Sequence, residues 1–166
     1  MQQKDSVLEQ KDVNNIKIAN SKFGELKLDI TKAINFSAGL LGMEDYKEFC
    51  LIDFPNPELE QFKILQSIEE DGLSFIILPN IEGYQAQSFI DEEDVADICN
   101  NFNIPRSNVA ILFIASIHHS NAIGAEASVT RLSINTRAPL IVDIATKQAV
   151  QFVLVNEKYK IQHFIG

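Results

Sequence analysis

The sequence predicts a mainly β fold: a small antiparallel β-barrel of about nine strands with one short helix. Three observations carry this. Short apolar runs with period two recur along the chain, which marks strands with one face buried. Turn residues (Gly, Pro, Asn, Asp) stand between these runs at regular intervals. Only one stretch, 91–102, carries a helical apolar stripe. Short strands separated by turns favour a closed or nearly closed antiparallel barrel over a parallel sheet with crossover helices.

The elements follow in chain order. Residues 1–15 are polar, have little to bury and are expected to form a flexible tail ahead of a single barrel domain at 16–166. Ile16 and Ile18 alternate with polar or small residues, and Leu26, Leu28 and Ile30 alternate with Lys27, Asp29 and Thr31, giving two strands. A strand over 33–36 runs into a turn at Gly39 and Gly42, where positive φ is expected. One helical turn is expected over 44–47, then a strand over 49–54 that Pro55 and Pro57 stop. Strands 62–69 and 73–78 are joined by Glu70-Asp71-Gly72, a hairpin signal because Asp-Gly accepts tight-turn φ values.

Acids crowd the first turn of the helix at 91–102, which suits the positive end of its dipole. Val95, Ile98, Cys99 and Phe102 form its buried stripe, and Asn103 and Pro105 end it. Residues 109–117 form a long apolar strand. Ala127, Val129, Leu132 and Ile134 mark another, with a phase slip that suggests a bulge. Strands 140–145 and 149–155 pair across Thr146-Lys147-Gln148. The expected core comprises Leu26, Leu28, Ile30, Phe36, Leu65, Phe75, Ile77, Ile98, Ile111, Phe113, Ile141 and Val153. Asn135 is expected to bond nearby backbone where a strand bends, and Pro139 to open or edge a strand.

Net charge is −9. A nucleic-acid binder needs Lys and Arg to replace counterions around phosphates, and an anionic membrane needs the same, so both partners are disfavoured. The charge is uneven. Residues 44–97 hold fifteen acids against Lys47 and Lys63, a net −13, while the flanks carry +1 and +3. Clustered in space, these acids would make a one-sided field that favours basic protein partners; spread out, they would only keep the surface solvated. Two cysteines 49 residues apart give no disulfide framework, and the polar N-terminus lacks the apolar stretch of a signal peptide. No run reaches the ~20 apolar residues of a membrane span. A reducing cytoplasm fits this pattern.

Catalytic and metal chemistry finds little support. His118 and His119 are adjacent on a strand and so point to opposite faces, which prevents an easy shared metal. Cys50 and Cys99 sit in apolar settings and read as packing residues. The run 91–94 lacks a calcium-loop pattern. Phosphate-loop, dinucleotide and nucleophile-elbow motifs are missing, so no enzyme, no cofactor and no metal are expected. Tyr46, Tyr84 and Tyr159 lie in polar sequence and read either as interface residues or as caps on the barrel.

An ordered set of segments then bears on family. It comprises Phe23-Gly24-Glu25; Ile34-Asn35-Phe36; Gly39-Leu40 with Gly42-Met43-Glu44; Leu65-Gln66-Ser67-Ile68-Glu69; Phe75-Ile76-Ile77-Leu78-Pro79; Asn135 with Ala138-Pro139-Leu140-Ile141-Val142; and Gln151 with Val153-Leu154. Together, over about 16–164, the chain resembles the FliW family of bacterial flagellar assembly factors. It departs from the family in a longer segment at 117–134 and in its finish, Ile161-Gln162-His163-Phe164. The resemblance implies a small antiparallel β-barrel and a non-enzymatic cytoplasmic partner switch. Such proteins bind flagellin, somewhat as a chaperone. When flagellin is exported they capture CsrA, the regulator that represses flagellin messenger RNA. The acidic middle is the expected CsrA-facing part, through Glu69, Glu70, Asp71, Asp91, Glu92, Glu93 and Asp94, with Tyr84 and the sheet edge near Asn135 expected toward flagellin. The chain is expected to act as a monomer. Two other readings remain: a β-barrel interaction module unrelated to flagella, and a small ligand-binding or hydrolase barrel.

Overall fold

The computed structural model describes residues 15–80, 89–120 and 129–165. Among the described residues, eleven strands and one α-helix order as β1 (Ile16–Ser21), β2 (Gly24–Asp29), β3 (Ile34–Phe36), β4 (Glu48–Asp53), β5 (Lys63–Ser67), β6 (Ser74–Pro79), α1 (Glu92–Phe102), β7 (Val109–Ser120), β8 (Val129–Ile134), β9 (Leu140–Asp143), β10 (Gln148–Gln151) and β11 (His163–Ile165). Seven of these close a barrel in the order β7-β6-β5-β4-β3-β10-β9, because β9 returns to pair with β7. The mainly β barrel, with one α-helix among the described residues, is therefore as expected. One refinement is that β3 and β10 run parallel, so the closure is mixed.

Period-two alternation places the core in three layers. Ile34, Phe36, Phe49, Leu65, Ile77, Leu112, Leu140 and Val142 point into the barrel. Phe36 and Phe49 meet there edge to face at 5.6 Å. Their strand neighbours point outward. Cys50 and Ile64 are covered by the β1–β2 hairpin through Ala19, Leu26 and Leu28. Leu78, Ile111, Phe113 and Ile141 are covered by the Val95, Ile98 and Cys99 stripe of α1. The barrel wall is thus buried on both faces over much of its circumference, which is why β7 reads as a continuous apolar run.

β7 is long enough to hold two partners on one edge. Its first part pairs with β9 and its last part with β8, while β6 occupies the opposite edge. The chain leaves β8, bends at Asn135 and resumes as β9 along the same edge. Asn135 N donates to Ile114 O at 2.9 Å, and Asn135 Oδ1 accepts from Ala138 N at 2.9 Å. The expected structural role of Asn135 holds, and Pro139 directly precedes β9.

Several expectations need correction. Ile16 and Ile18 face solvent, at 44% and 51% exposure; the buried phase of β1 belongs to Ala19. Ile30 and Val153 are exposed rather than core: Ile30 enters a short 3-10 turn after β2, and Val153 lies past the end of β10. Phe75 is half-buried and the other expected core residues are buried. Residues 44–47 form no helix; a bridge between Leu40 and Met43 and hydrogen-bonded turns replace it. Here Gly39 is required, because its φ is +69° and a Cβ would lie 2.5 Å from the Glu44 Cα. The β5–β6 hairpin forms without a left-handed Gly72; among the described residues the left-handed non-glycine positions are Asn103, after α1, and Lys147, between β9 and β10. The β7–β8 ladder is unbroken from Val129 to Ile134, so no bulge interrupts it. β11, unmarked by any periodicity, adds a short outer strand against β8.

Candidate protein-interaction surface

The acids expected to act together are held by two different parts of the fold. Glu69, Glu70 and Asp71 occupy the β5–β6 hairpin, whose shape comes from buried polar side chains. Gln66 is fully buried, and its Nε2 donates to Ser67 O at 3.1 Å and Asp71 O at 3.1 Å. Its Oε1 accepts from the Ser74 hydroxyl. Ser67 Oγ accepts from Glu69 N and Glu70 N at 3.1 and 3.0 Å. The acids then bond outward to neighbouring backbone. Glu69 Oε1 accepts from Lys47 N at 3.2 Å and Glu48 N at 3.1 Å, fastening the lead-in to β4. Asp71 Oδ2 accepts from Asn20 N at 3.1 Å, and the Lys17 ammonium donates to Ile68 O, so β1 is tied to the hairpin. Glu70 is exposed and reaches only Gly72 N, at 3.4 Å.

The second group opens α1. Asp91 is the N-cap position but makes no side-chain cap; it pairs instead with Lys158. Glu92 forms a forked pair with Arg106, at 2.9 Å to Nε and 3.3 Å to Nη2, which holds its carboxyl below the usual range. Asp94 accepts from the Tyr159 hydroxyl, and that same oxygen accepts from Asp91 N at 3.1 Å. Burial, reinforced by the Asp94 carboxylate, pushes the Tyr159 phenol well above its ordinary value. Glu93 and Asp97 are exposed and have no hydrogen-bond or ion-pair partner among the described residues.

Tyr159 therefore differs from the sequence reading: it is 3% exposed and joins the core under α1. Tyr46 is half-buried, and Tyr84 lies outside the described residues. Asn135 joins the helix group indirectly. The link after it accepts Lys160 through Thr136, which bonds Lys160 O and Lys160 N, next to Tyr159. The hairpin acids stand on separate elements from these.

Sequence reading missed two features. A groove of about 320 Å³ between α1 and residues 152–159 is lined by Asp94, Asp97, Asn101, Leu154, Val155 and Tyr159. A wholly apolar groove of about 220 Å³ is lined by Phe23, Phe54, Phe62, Ile76, Ile117 and Leu132. The second joins residues from the β1–β2 turn, the β4–β5 link, β6 and the β7–β8 pair, so no local pattern signals it. Among the described residues no group of three or more His, Cys, Asp or Glu could hold a metal ion, and no helix is long and apolar enough to cross a membrane.

Comparison with known proteins decides the family. Residues 17–165 match the FliW protein family. The chain belongs to the FliW family. A relative from Clostridium beijerinckii, named flagellar assembly factor FliW, is 31% identical over 154 residues, covering 91% of this chain and 99% of the relative. A protein of the same name from Clostridium botulinum (strain Alaska E43 / Type E3) is 28% identical, covering 86% of this chain and 92% of its own length. A crystal structure of the flagellar assembly factor FliW superposes with a TM-score of 0.64 at 21% identity, covering 89% of this chain and 95% of that one. The FliW fold thus accounts for the barrel described above, and the Gly39 turn and the Asn135 bend lie within the matched span.

Proposed function

We propose that this chain is a cytoplasmic flagellar assembly factor that works as a partner switch, without catalysis. It binds flagellin as a chaperone; once flagellin is exported, the free protein binds CsrA and relieves repression of flagellin translation. Family membership supports the flagellar role. The observation that carries the mechanism is the split among its acids: Glu69, Asp71, Asp91, Glu92 and Asp94 are tied into the fold, whereas Glu70 and Glu93 project without a cationic partner among the described residues. The tied acids hold two loops rigid, and the free ones supply a negative potential. CsrA must present a basic face to RNA phosphates. An acidic protein docked beside that face repels RNA without filling its site, provided its charges lie within the Debye length of about 8 Å.

Flagellin binding is assigned to apolar surface, since a chaperone shields what would otherwise assemble. Tyr84 and the sheet edge near Asn135 are the candidate contacts, and the apolar groove beside Phe23 and Ile117 adds to them.

The test measures RNA release from CsrA by the wild-type protein and by a Glu70→Lys/Glu93→Lys variant at low and high salt, with flagellin capture measured in parallel. The variant should lose potency mainly at low salt, because charged pairs raise association rate and specificity in a salt-dependent way. Flagellin capture should be unchanged. Equal potency of the two proteins at low salt refutes the electrostatic mechanism; failure of the wild-type protein to bind either partner refutes the switch.

A further inference from the structure

Residues 152–155 run on past the end of β10, and their hydrogen bonds among the described residues go to one side only. Phe152 N donates to Pro139 O at 3.0 Å and Leu154 N to Arg137 O at 2.7 Å, so the even-numbered residues face the β9 side. The odd-numbered residues face the β3 side, as the parallel bond from Asn35 N to Lys147 O, 2.9 Å, establishes upstream. β3 ends at Phe36, and the last contact on that side is Leu41 N with the Gln151 side chain at 2.9 Å. The N–H groups of Val153 and Val155 consequently have no partner among the described residues. An open strand edge of this kind is a template for another strand unless charge or proline blocks it. Here two valines, 46% and 88% exposed, stand on it instead.

The edge runs beside an acidic groove. Phe152 and Leu154 turn toward α1, where the groove carries Asp94 and Asp97 and no basic side chain. Val153 and Val155 are exposed, and Val155 borders the same groove. A strand laid on the edge would therefore meet the exposed valines and, beside them, the Asp97 carboxylate of the groove.

We propose that the 153–155 edge takes an extended segment of a partner protein, by strand addition, with β-branched or other apolar residues at alternate positions and Lys or Arg between them. Main-chain bonds to Val153 and Val155 hold the segment, and Asp97, the free carboxylate of the groove, selects its cations. The inference does not depend on the CsrA mechanism above, whose charges at Glu70 and Glu93 it leaves aside.

The probe is an acetylated, amidated heptapeptide of alternating Lys and Val, compared with the same peptide carrying Glu for Lys. Each is titrated into the isotope-labelled full chain and followed by amide resonances. The lysine peptide should shift the Val153 and Val155 amides and slow their exchange, and the glutamate peptide should not. Val153→Pro and Val155→Pro remove only unbonded N–H groups, and each should weaken binding about tenfold, the equivalent of one lost main-chain bond. Val153→Thr keeps the N–H and should bind as wild type. Asp97→Lys touches no backbone and should reverse the preference between peptides, which keeps the test decisive if a proline variant fails to fold. Equal binding of both peptides, shifts confined to other residues, or undiminished binding by folded proline variants would overturn the proposal.

Discussion

Tyr159→Phe removes one oxygen and leaves the ring in place, so it isolates the bond that fastens the C-terminal segment to α1. That oxygen donates to the Asp94 carboxylate and accepts from Asp91 N at a site where the tyrosine is 3% exposed. A hydrogen bond to a charged acceptor is worth about 1.5–3 kcal/mol, and an orphaned buried N–H adds to the loss. Asp94 is only half-buried, so water can replace part of its lost partner, which pulls the sum back to about 2 kcal/mol. At this chain length each kcal/mol moves Tm by about 2–4 °C, so the variant should melt about 4–8 °C lower. The pH dependence follows from the burial of the phenol, reinforced by the same bond. The folded phenol is held above its ordinary value of 10.0, so its contribution is complete below that pH and is lost as pH rises through the folded pKa. Urea unfolding at pH 8 and at pH 10.5 gives both numbers, and absorbance of ionised tyrosine gives the phenol directly. If Tyr159→Phe stays within about 0.5 kcal/mol of wild type at pH 8, the hydroxyl is a bystander and the reasoning fails.

Other outcomes follow from single sites. Gly39→Ala must place a Cβ against Glu44 backbone at φ +69°, and should cost about 2 kcal/mol or more in urea unfolding, whereas an alanine at Gly42, where no atom is near, should cost less. Asn135→Ala orphans the buried Ala138 N and should cost about 1–2 kcal/mol, with Asn135→Asp retaining most of it. Cys50 has its thiol pushed up to about 11 by burial and the nearby Asp29 and Glu48 charges, so it should resist a thiol reagent at pH 8 until the protein is unfolded.

The barrel was legible where one physical rule acts alone. Leu65, Ile77 and Phe113 alternate with neighbours of the other face, and burial follows parity. Ile16 and Ile18 broke the rule because β1 lies outside the wall: the hairpin has one face to bury, and Ala19, Leu26 and Leu28 already fill it. Val153 broke it because β10 outruns the barrel it belongs to. The site was less legible for a related reason. That residues 69–71 and 91–94 are acidic is plain in the sequence; that Glu69 accepts two amides across the sheet, or that Asp71 holds Asn20, depends on partners some 20 to 50 residues away. Tyr159 sits among polar letters, yet its ring completes a core assembled from four separate strands and α1.

This division of the acids also settles which charges can inform about partners. Reversing Asp71 frees an amide of β1, and reversing Glu69 frees two at the entry to β4, so a loss of binding in either variant would mix charge with fold. Glu92 pairs with Arg106 at exposed positions, where an ion pair contributes at most about 1 kcal/mol, but its reversal sets two cations side by side. Of the acids in these two groups and the groove, Glu93 and Asp97 can change sign with no bond lost among the described residues, and Glu70 gives up only its 3.4 Å contact with Gly72 N. Glu70 belongs to the hairpin, Glu93 to the exposed face of α1 and Asp97 to the groove beside the open edge. Three single reversals therefore separate a field at the hairpin, a field at the helix and a strand-addition site, and a partner that responds to one of them identifies the face on which it docks.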